Sequence, residues 1–299
     1  MGRPHCQGLG RGRQASFGIG YSRLVHEGRQ RRLHTRAPFM ITNVTIIGAG
    51  KVGTSVKFKL GDDGITVAVN LVSAREFLSL GTSVIPSSSA SVIVLACRDS
   101  QLTDSVALLA EHYAHALTGV LVLHVNGSRG SDVLCPLKEH GALISAAHPF
   151  QTFAKADAAL LDSIGWGVEC DDDAWESTAE FVSLTGGVPF RLPRTDAVSK
   201  RRYHAAAVAA SNFTYAAYDL ARKLAEDVDI PVETFLAPIM RQTVENAIEA
   251  IQQGRPFPIT GPLVRGDMDA VQRQRQAMPD QLRQQYDHLL NALAEAIGR

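Results

Sequence analysis

The run Asn43-Val44-Thr45-Ile46-Ile47, followed at once by Gly48-Ala49-Gly50-Lys51-Val52-Gly53, constrains this chain more than any other feature. The first five residues are rich in β-branched side chains and read as a buried parallel strand. The next six spell G-x-G-x-x-G. In that pattern the first glycine permits a tight turn, the second lets the backbone approach a pyrophosphate, and the third lets the following helix pack closely on the strand. A helix predicted from Thr54 to Leu60 would then offer its free N–H groups and dipole to the anion. A lone glycine pattern is weak, but the strand before it and the helix after it specify a Rossmann-type dinucleotide fold beginning near Ile41.

The second strand, predicted over 65–72, ends in Val72-Ser73-Ala74-Arg75, with no acid before Glu76. An NAD site usually places an acid there for the ribose 2′-hydroxyl, whereas a hydroxyl and a guanidinium suit a 2′-phosphate. The reading is therefore NADP, with NAD less favoured. Further apolar runs at 90–96, 119–123 and 142–147 alternate with helical segments and imply a parallel sheet. Each run ends in polar residues: Cys97-Arg98-Asp99, then His124 to Ser128, then His148 to Thr152. Ligands in such sheets bind outside the carboxyl ends of the strands. The cofactor set is thus Gly48, Ala49, Gly50, Lys51, Val52, Gly53, Ser73, Arg75, Cys97 and Arg98, with Asn126 and His148 further along the same edge.

Two more strands, at 165–169 and 188–192, flank a helix at 173–185; after Pro193 the pattern is helical only. This divides the chain into a Rossmann-like domain over 40–193 and an all-α domain over 194–299. A long Ala-rich helix is expected over 200–225, a second over 231–253, a proline-rich loop over 254–262, and further helices after Asp267 and Pro279. His204, Val208 and Asn212 follow one another at four-residue spacing, with Ser211 beside them. They form either a polar stripe facing the cleft or satisfied polar groups on a packed helix. The apolar faces of the later helices exceed what one small bundle needs, which predicts a homodimer.

Charge is uneven. Residues 1–39 hold eight Arg and a single acid, Glu27, and so carry about +7, while formal net charge over the chain is zero. The remaining residues carry about −7, which does not suit a nucleic-acid binder. The basic segment has no apolar period and is expected to be a disordered extension, with Met40 as the natural start; the alternative is a mitochondrial transit peptide, Arg-rich and poor in acids. Cys6, Cys97, Cys135 and Cys170 show no metal-type spacing, so free thiols, no metal and a cytoplasmic setting are expected. No apolar run is long enough for a membrane span.

Four motifs in this order, namely the strand with its glycine turn, His148-Pro-Phe-Gln-Thr-Phe153, Tyr203-His-Ala-Ala-Ala207 with Ser211-Asn212, and Thr260-Gly-Pro-Leu-Val-Arg-Gly-Asp267, resemble bacterial Rossmann-like proteins carrying a C-terminal domain of unknown function, DUF2520. The resemblance covers the chain from about Ile41, with the DUF2520-type region starting near residue 147. It implies an NADP-binding domain followed by a helical dimerisation domain, similar in architecture to pyrroline-5-carboxylate reductase and to the 6-phosphogluconate and β-hydroxyacid dehydrogenases. The expected function is an NADP-dependent oxidoreductase acting on a small carbonyl or imine; the alternative is a non-catalytic NADP-binding sensor or partner protein. The β-hydroxyacid dehydrogenases carry a catalytic Lys on their interdomain helix, whereas here His204 is the polar group expected on that helix. His148 and His204 are the candidate proton donors because imidazole titrates near neutrality. Asn126, Ser211 and Asn212 are candidates for holding a carbonyl or imine, and Arg265 for a carboxylate or phosphate.

Overall fold

The computed structural model describes residues 41–62, 65, 67–80, 91–193 and 196–298. The expectations for residues 1–39 and for a start at Met40 lie outside the described residues.

Seven strands form one sheet in the order β2-β1-β3-β4-β5-β6-β7. These are β1 (Asn43–Ile47), β2 (Ala68–Val72), β3 (Ser91–Leu95), β4 (Leu121–His124), β5 (Leu143–Pro149), β6 (Gly165–Cys170) and β7 (Val188–Arg191). The first five run parallel, as the alternation with helices predicts. β6 runs antiparallel to β5, and β7 is parallel to β6. The sheet is therefore mixed at one end rather than wholly parallel. The cause is local: residues 150–164 carry a single 3-10 turn, Ala158–Leu161, and no crossover helix. A chain without a crossover returns antiparallel to the strand it left.

Helices cover both faces. α1 (Lys51–Leu60) and α5 (Asp172–Leu184) contribute Val56, Leu60, Phe181 and Val182 to one core, which also holds Ile46 and Trp166. α2 (Ala74–Leu80), α3 (Asp99–Tyr113) and α4 (Cys135–Lys138) contribute Phe77, Leu102, Leu109 and Leu137 to the other, with Ile47. The neighbours Ile46 and Ile47 go to opposite faces because strand side chains alternate. Both are fully buried, which accounts for the continuous apolar run of β1.

The second half is helical: α6 (Ala197–Asp227), α7 (Val232–Gln252), the one-turn α8 (Pro262–Arg265), α9 (Met268–Gln276) and α10 (Asp280–Ala296). Asp196 caps α6 by accepting from the N–H groups of Val198 and Ser199. Asp267 caps α9 through Ala270 N–H, as its position before the helix predicts. α6 has 31 residues, about 46 Å at 1.5 Å per residue. Lys200 and Tyr203 in its first two turns meet Glu169 and Gly167 of β6, and α7 and α10 pack along α6. Among the described residues no helix is long and apolar enough to cross a membrane.

Candidate active site

The strand order reverses direction between β1 and β3, and the glycine turn lies at the end of β1. A crevice at such a switch point is where open α/β sheets hold ligands. The three glycines divide the work as the pattern requires. Gly48 has φ +126°, and a β-carbon on it would lie 2.3 Å from the Ala96 carbonyl oxygen. A β-carbon on Gly53 would lie 2.0 Å from the Gly48 carbonyl oxygen, so this position sets the strand-to-helix packing. A β-carbon on Gly50 would meet nothing within 4 Å. Gly50 is not needed for packing; its bareness leaves open space at the start of α1.

α1 begins at Lys51, three residues ahead of the expected Thr54, so the fingerprint itself supplies the first helical turn. That turn holds no acid, and its N–H groups have no partner within the helix. The neighbouring helix starts reinforce the edge. Ser73 caps α2, its Oγ accepting from Glu76 N–H at 3.1 Å, and Arg75 stands exposed in the first turn. Arg98 precedes α3 and is exposed. Cys97 is half-buried, and burial pushes its thiol up. The residues at this edge fit a pyrophosphate on α1 and a second anionic group at α2.

Further along the edge, α6 presents Lys200, Tyr203 and His204 together, because positions i, i+3 and i+4 share a helical face. They meet the ends of β4, β5 and β6. The rings of His148 and His204 lie at right-angled contact, 5.5 Å between centroids. Both crowd Gly127, where a β-carbon would stand 2.3 Å from His204 Nδ1 and 2.8 Å from His148 Nε2. Tyr203 Oη lies 3.1 Å from His148 Nδ1. The tyrosine ring covers Gly167, whose missing side chain makes room for it. The sequence places His148 just after its strand; in the structure it is the penultimate residue of β5.

Beneath these rings Lys200 and Glu169 form a buried ion pair at 3.3 Å, with side-chain exposures of 2% and 10%. The other oxygen of Glu169 accepts from the N–H of Ser131 at 2.9 Å and from its hydroxyl at 3.2 Å. The Lys200 ammonium sits 5.7 Å from the centroid of the Tyr203 ring. Burial pulls Lys200 down, and Glu169 opposes that. Burial, then the charges of His204, Lys200 and His124, bring His148 down to about 4. At pH 7 His148 is a neutral imidazole, so titration near neutrality no longer recommends it as a donor; its place in the cluster does. Burial likewise pushes the Tyr203 phenol up to about 12.

Asn126 is engaged in its own loop. Its side-chain oxygen accepts from Ser128 N–H, Arg129 N–H and the Ser128 hydroxyl, and its amide donates to Asp99. Behind it His124 is fully buried, bonded through Nε2 to the Gly130 carbonyl at 2.9 Å and through Nδ1 to the Asn126 N–H at 3.2 Å. This fixes the proton of His124 on Nε2, and burial brings its pKa to about 4. Asn126 and His124 thus shape the loop that carries Gly127.

One chain does not bring every candidate together. Asn212 follows His204 by eight residues, about 12 Å along the helix axis, and is exposed. Ser211 bonds back to the Ala207 carbonyl at 2.7 Å. Arg265 ends α8, not a loop, and is exposed; among the described residues it makes no hydrogen bond or ion pair with the histidine cluster. The residues that sequence reasoning did not single out are Gly127, Glu169 and Lys200, together with the role of Tyr203. The i, i+3, i+4 spacing of Lys200, Tyr203 and His204 was a usable signal for three of the cluster. Among the described residues no group of three or more His, Cys, Asp or Glu is placed to hold a metal ion.

Residues 39–149 match the family described as Rossmann-like domain, and residues 164–294 match the domain of unknown function DUF2520. The second match takes in β6, α5 and β7 as well as the helices, so it begins within the common sheet. The chain is similar in fold to a protein from Thermotoga maritima, with 18% identity over 85% of this chain and 98% of that one, TM-score 0.59. It is equally similar to a protein of Bacteroides fragilis described as a candidate NADP oxidoreductase, with 20% identity over 86% and 97% of the two chains, TM-score 0.59. A reductive aminase of Aspergillus terreus in complex with NADPH and ethyl levulinate follows, with 17% identity over 87% and 95%, TM-score 0.53. No curated protein matches the chain. The chain thus joins a Rossmann-like domain to a C-terminal DUF2520 domain.

Proposed function

We propose that the protein is an NADP-dependent oxidoreductase acting on a small carbonyl or imine compound. The observation that carries this reading is the cluster of His148, His204 and Tyr203 on the same sheet edge as the glycine turn. A dinucleotide with its pyrophosphate on α1 extends along that edge. When bound, the nicotinamide supplies or accepts the hydride. The first turn of α1, with Gly50 left bare, holds the pyrophosphate. Ser73 and Arg75, at the start of α2 with no acid before Glu76, favour a 2′-phosphate. His148 offers a neutral N–H to the substrate heteroatom, and His204 stands beside it at Gly127. The opening turns of α6 cover the edge and exclude water from it. The fold likeness to enzymes described as imine reductases and reductive aminases supports the same reading.

The protein acts as a homodimer. Phe213, Ile239 and Ile251 on α6 and α7 are each more than 60% exposed in the single chain, an apolar load that a second copy would cover. Asn212 and Arg265 are then candidates for completing the cleft of the second copy. The test is fluorescence titration with NADPH and NADH, followed by nicotinamide absorbance with a panel of small oxo- and imino-acids. Tight NADPH binding with turnover supports the reading; binding without turnover on any of the panel favours a sensor.

A further inference from the structure

We propose that Tyr203 is the positioning residue of this site: its phenol donates to Nδ1 of His148 and so fixes the imidazole as the Nε2–H tautomer, with that N–H on the Gly127 side. The functional consequence rests on the reading above; the tautomer itself does not. A neutral imidazole is a donor at one nitrogen and an acceptor at the other, and the bond made by one sets the other.

Three observations carry the assignment. First, Nε2 is the nitrogen nearer Gly127, 2.8 Å from the position of a β-carbon there, while Nδ1 faces Tyr203 at 3.1 Å. Second, the phenol has two acceptors in reach, His148 Nδ1 at 3.1 Å and the His148 carbonyl at 3.4 Å. That carbonyl also faces Gly167 across the sheet. The nearer acceptor is Nδ1. Third, the tyrosine is held in place: its ring packs on Phe150 at 5.1 Å and lies over Gly167, which has no side chain to displace it.

The surrounding charges keep the pair in this state. The groups facing His148 are Tyr203, His204 and Lys200 from α6, His124 from β4, and, behind Lys200, Glu169 from β6. The buried ammonium opposes an imidazolium, and desolvation keeps the phenol proton on oxygen. Lys200 is thus sealed behind the tyrosine ring and paired with Glu169. The outcome is a preset N–H donor for the lone pair of a carbonyl oxygen or an imine nitrogen.

The experiment uses the full chain labelled with 15N-histidine. Long-range proton–nitrogen correlation spectra identify His148 by the signals lost in His148→Gln. At pH 7 the wild-type protein is expected to show His148 with a protonated Nε2 and an unprotonated Nδ1. In Tyr203→Phe, which keeps the ring but not the donor, His148 is expected to populate both tautomers. A protonated Nδ1 in the wild type overturns the proposal, as does an unchanged pattern in Tyr203→Phe. The wild-type spectrum decides the matter alone if the variant does not fold. Absence of turnover would count against the oxidoreductase reading and leave the tautomer result standing.

Discussion

Gly127 and His204 are in such close apposition that a β-carbon on the glycine would stand 2.3 Å from the imidazole Nδ1. The same β-carbon would press on His148 at 2.8 Å. Gly127→Ala must therefore move one ring or both. A misplacement of about 1 Å at a reacting centre costs on the order of 100-fold in rate. We expect Gly127→Ala to lower turnover by that order while NADPH affinity, read by fluorescence titration, changes little.

The fingerprint glycines separate folding from binding. Gly50→Ala adds a β-carbon that meets nothing within 4 Å, so its melting temperature should match the wild type while NADPH binding is weakened by the methyl group beneath the pyrophosphate. Gly53→Ala drives a β-carbon to 2.0 Å from a backbone oxygen, so it should lower the melting temperature sharply. Thermal melts of the two variants, each with and without NADPH, check both outcomes.

The buried pair beneath the site predicts a non-additive double mutant. Removing one partner of a buried ion pair typically costs about 3–5 kcal/mol, because the other charge is left uncompensated. Glu169→Gln alone should be strongly destabilising, and Lys200→Met alone similarly so. The double variant should recover much of the loss in denaturant unfolding.

Acid should unfold the protein through its histidines. His124 and His148 both fall from 6.5 to about 4 in the folded chain. Unfolded, they take up a proton below about 6.5; folded, they resist it. The stability of the neutral forms is fully present above 6.5 and is lost as pH falls towards 4. Melting temperature should decline over that window, and less steeply in His148→Gln.

Much of the first half was legible because its signals are local. β-branched runs and glycine turns give five strands in order, and the missing acid after β2 is visible at Ser73 and Arg75. The reversal of β6 was not legible, since it depends on a connection without a helix, and strand periodicity does not carry direction. Lys200, Tyr203 and His204 could be placed on one helix face from spacing alone. That Lys200 meets Glu169, and Tyr203 meets His148 and Gly167, depends on how α6 crosses the sheet, for which the sequence holds no local signal. Asn126 reads as a ligand-binding residue at a strand end; its amide is spent on the turn that carries Gly127, as Asn commonly does in loops.

The oxidoreductase account is tested most directly by steady-state kinetics of the wild type, His148→Ala and His204→Ala, with NADPH consumption as readout and cofactor affinity measured alongside. The account predicts turnover that falls about 10²–10³-fold in His148→Ala, as for a lost preorganised hydrogen-bond donor, with the affinity for NADPH little changed. Full activity in both variants would contradict it, because chemistry would then run without the pair of imidazoles that meet at Gly127.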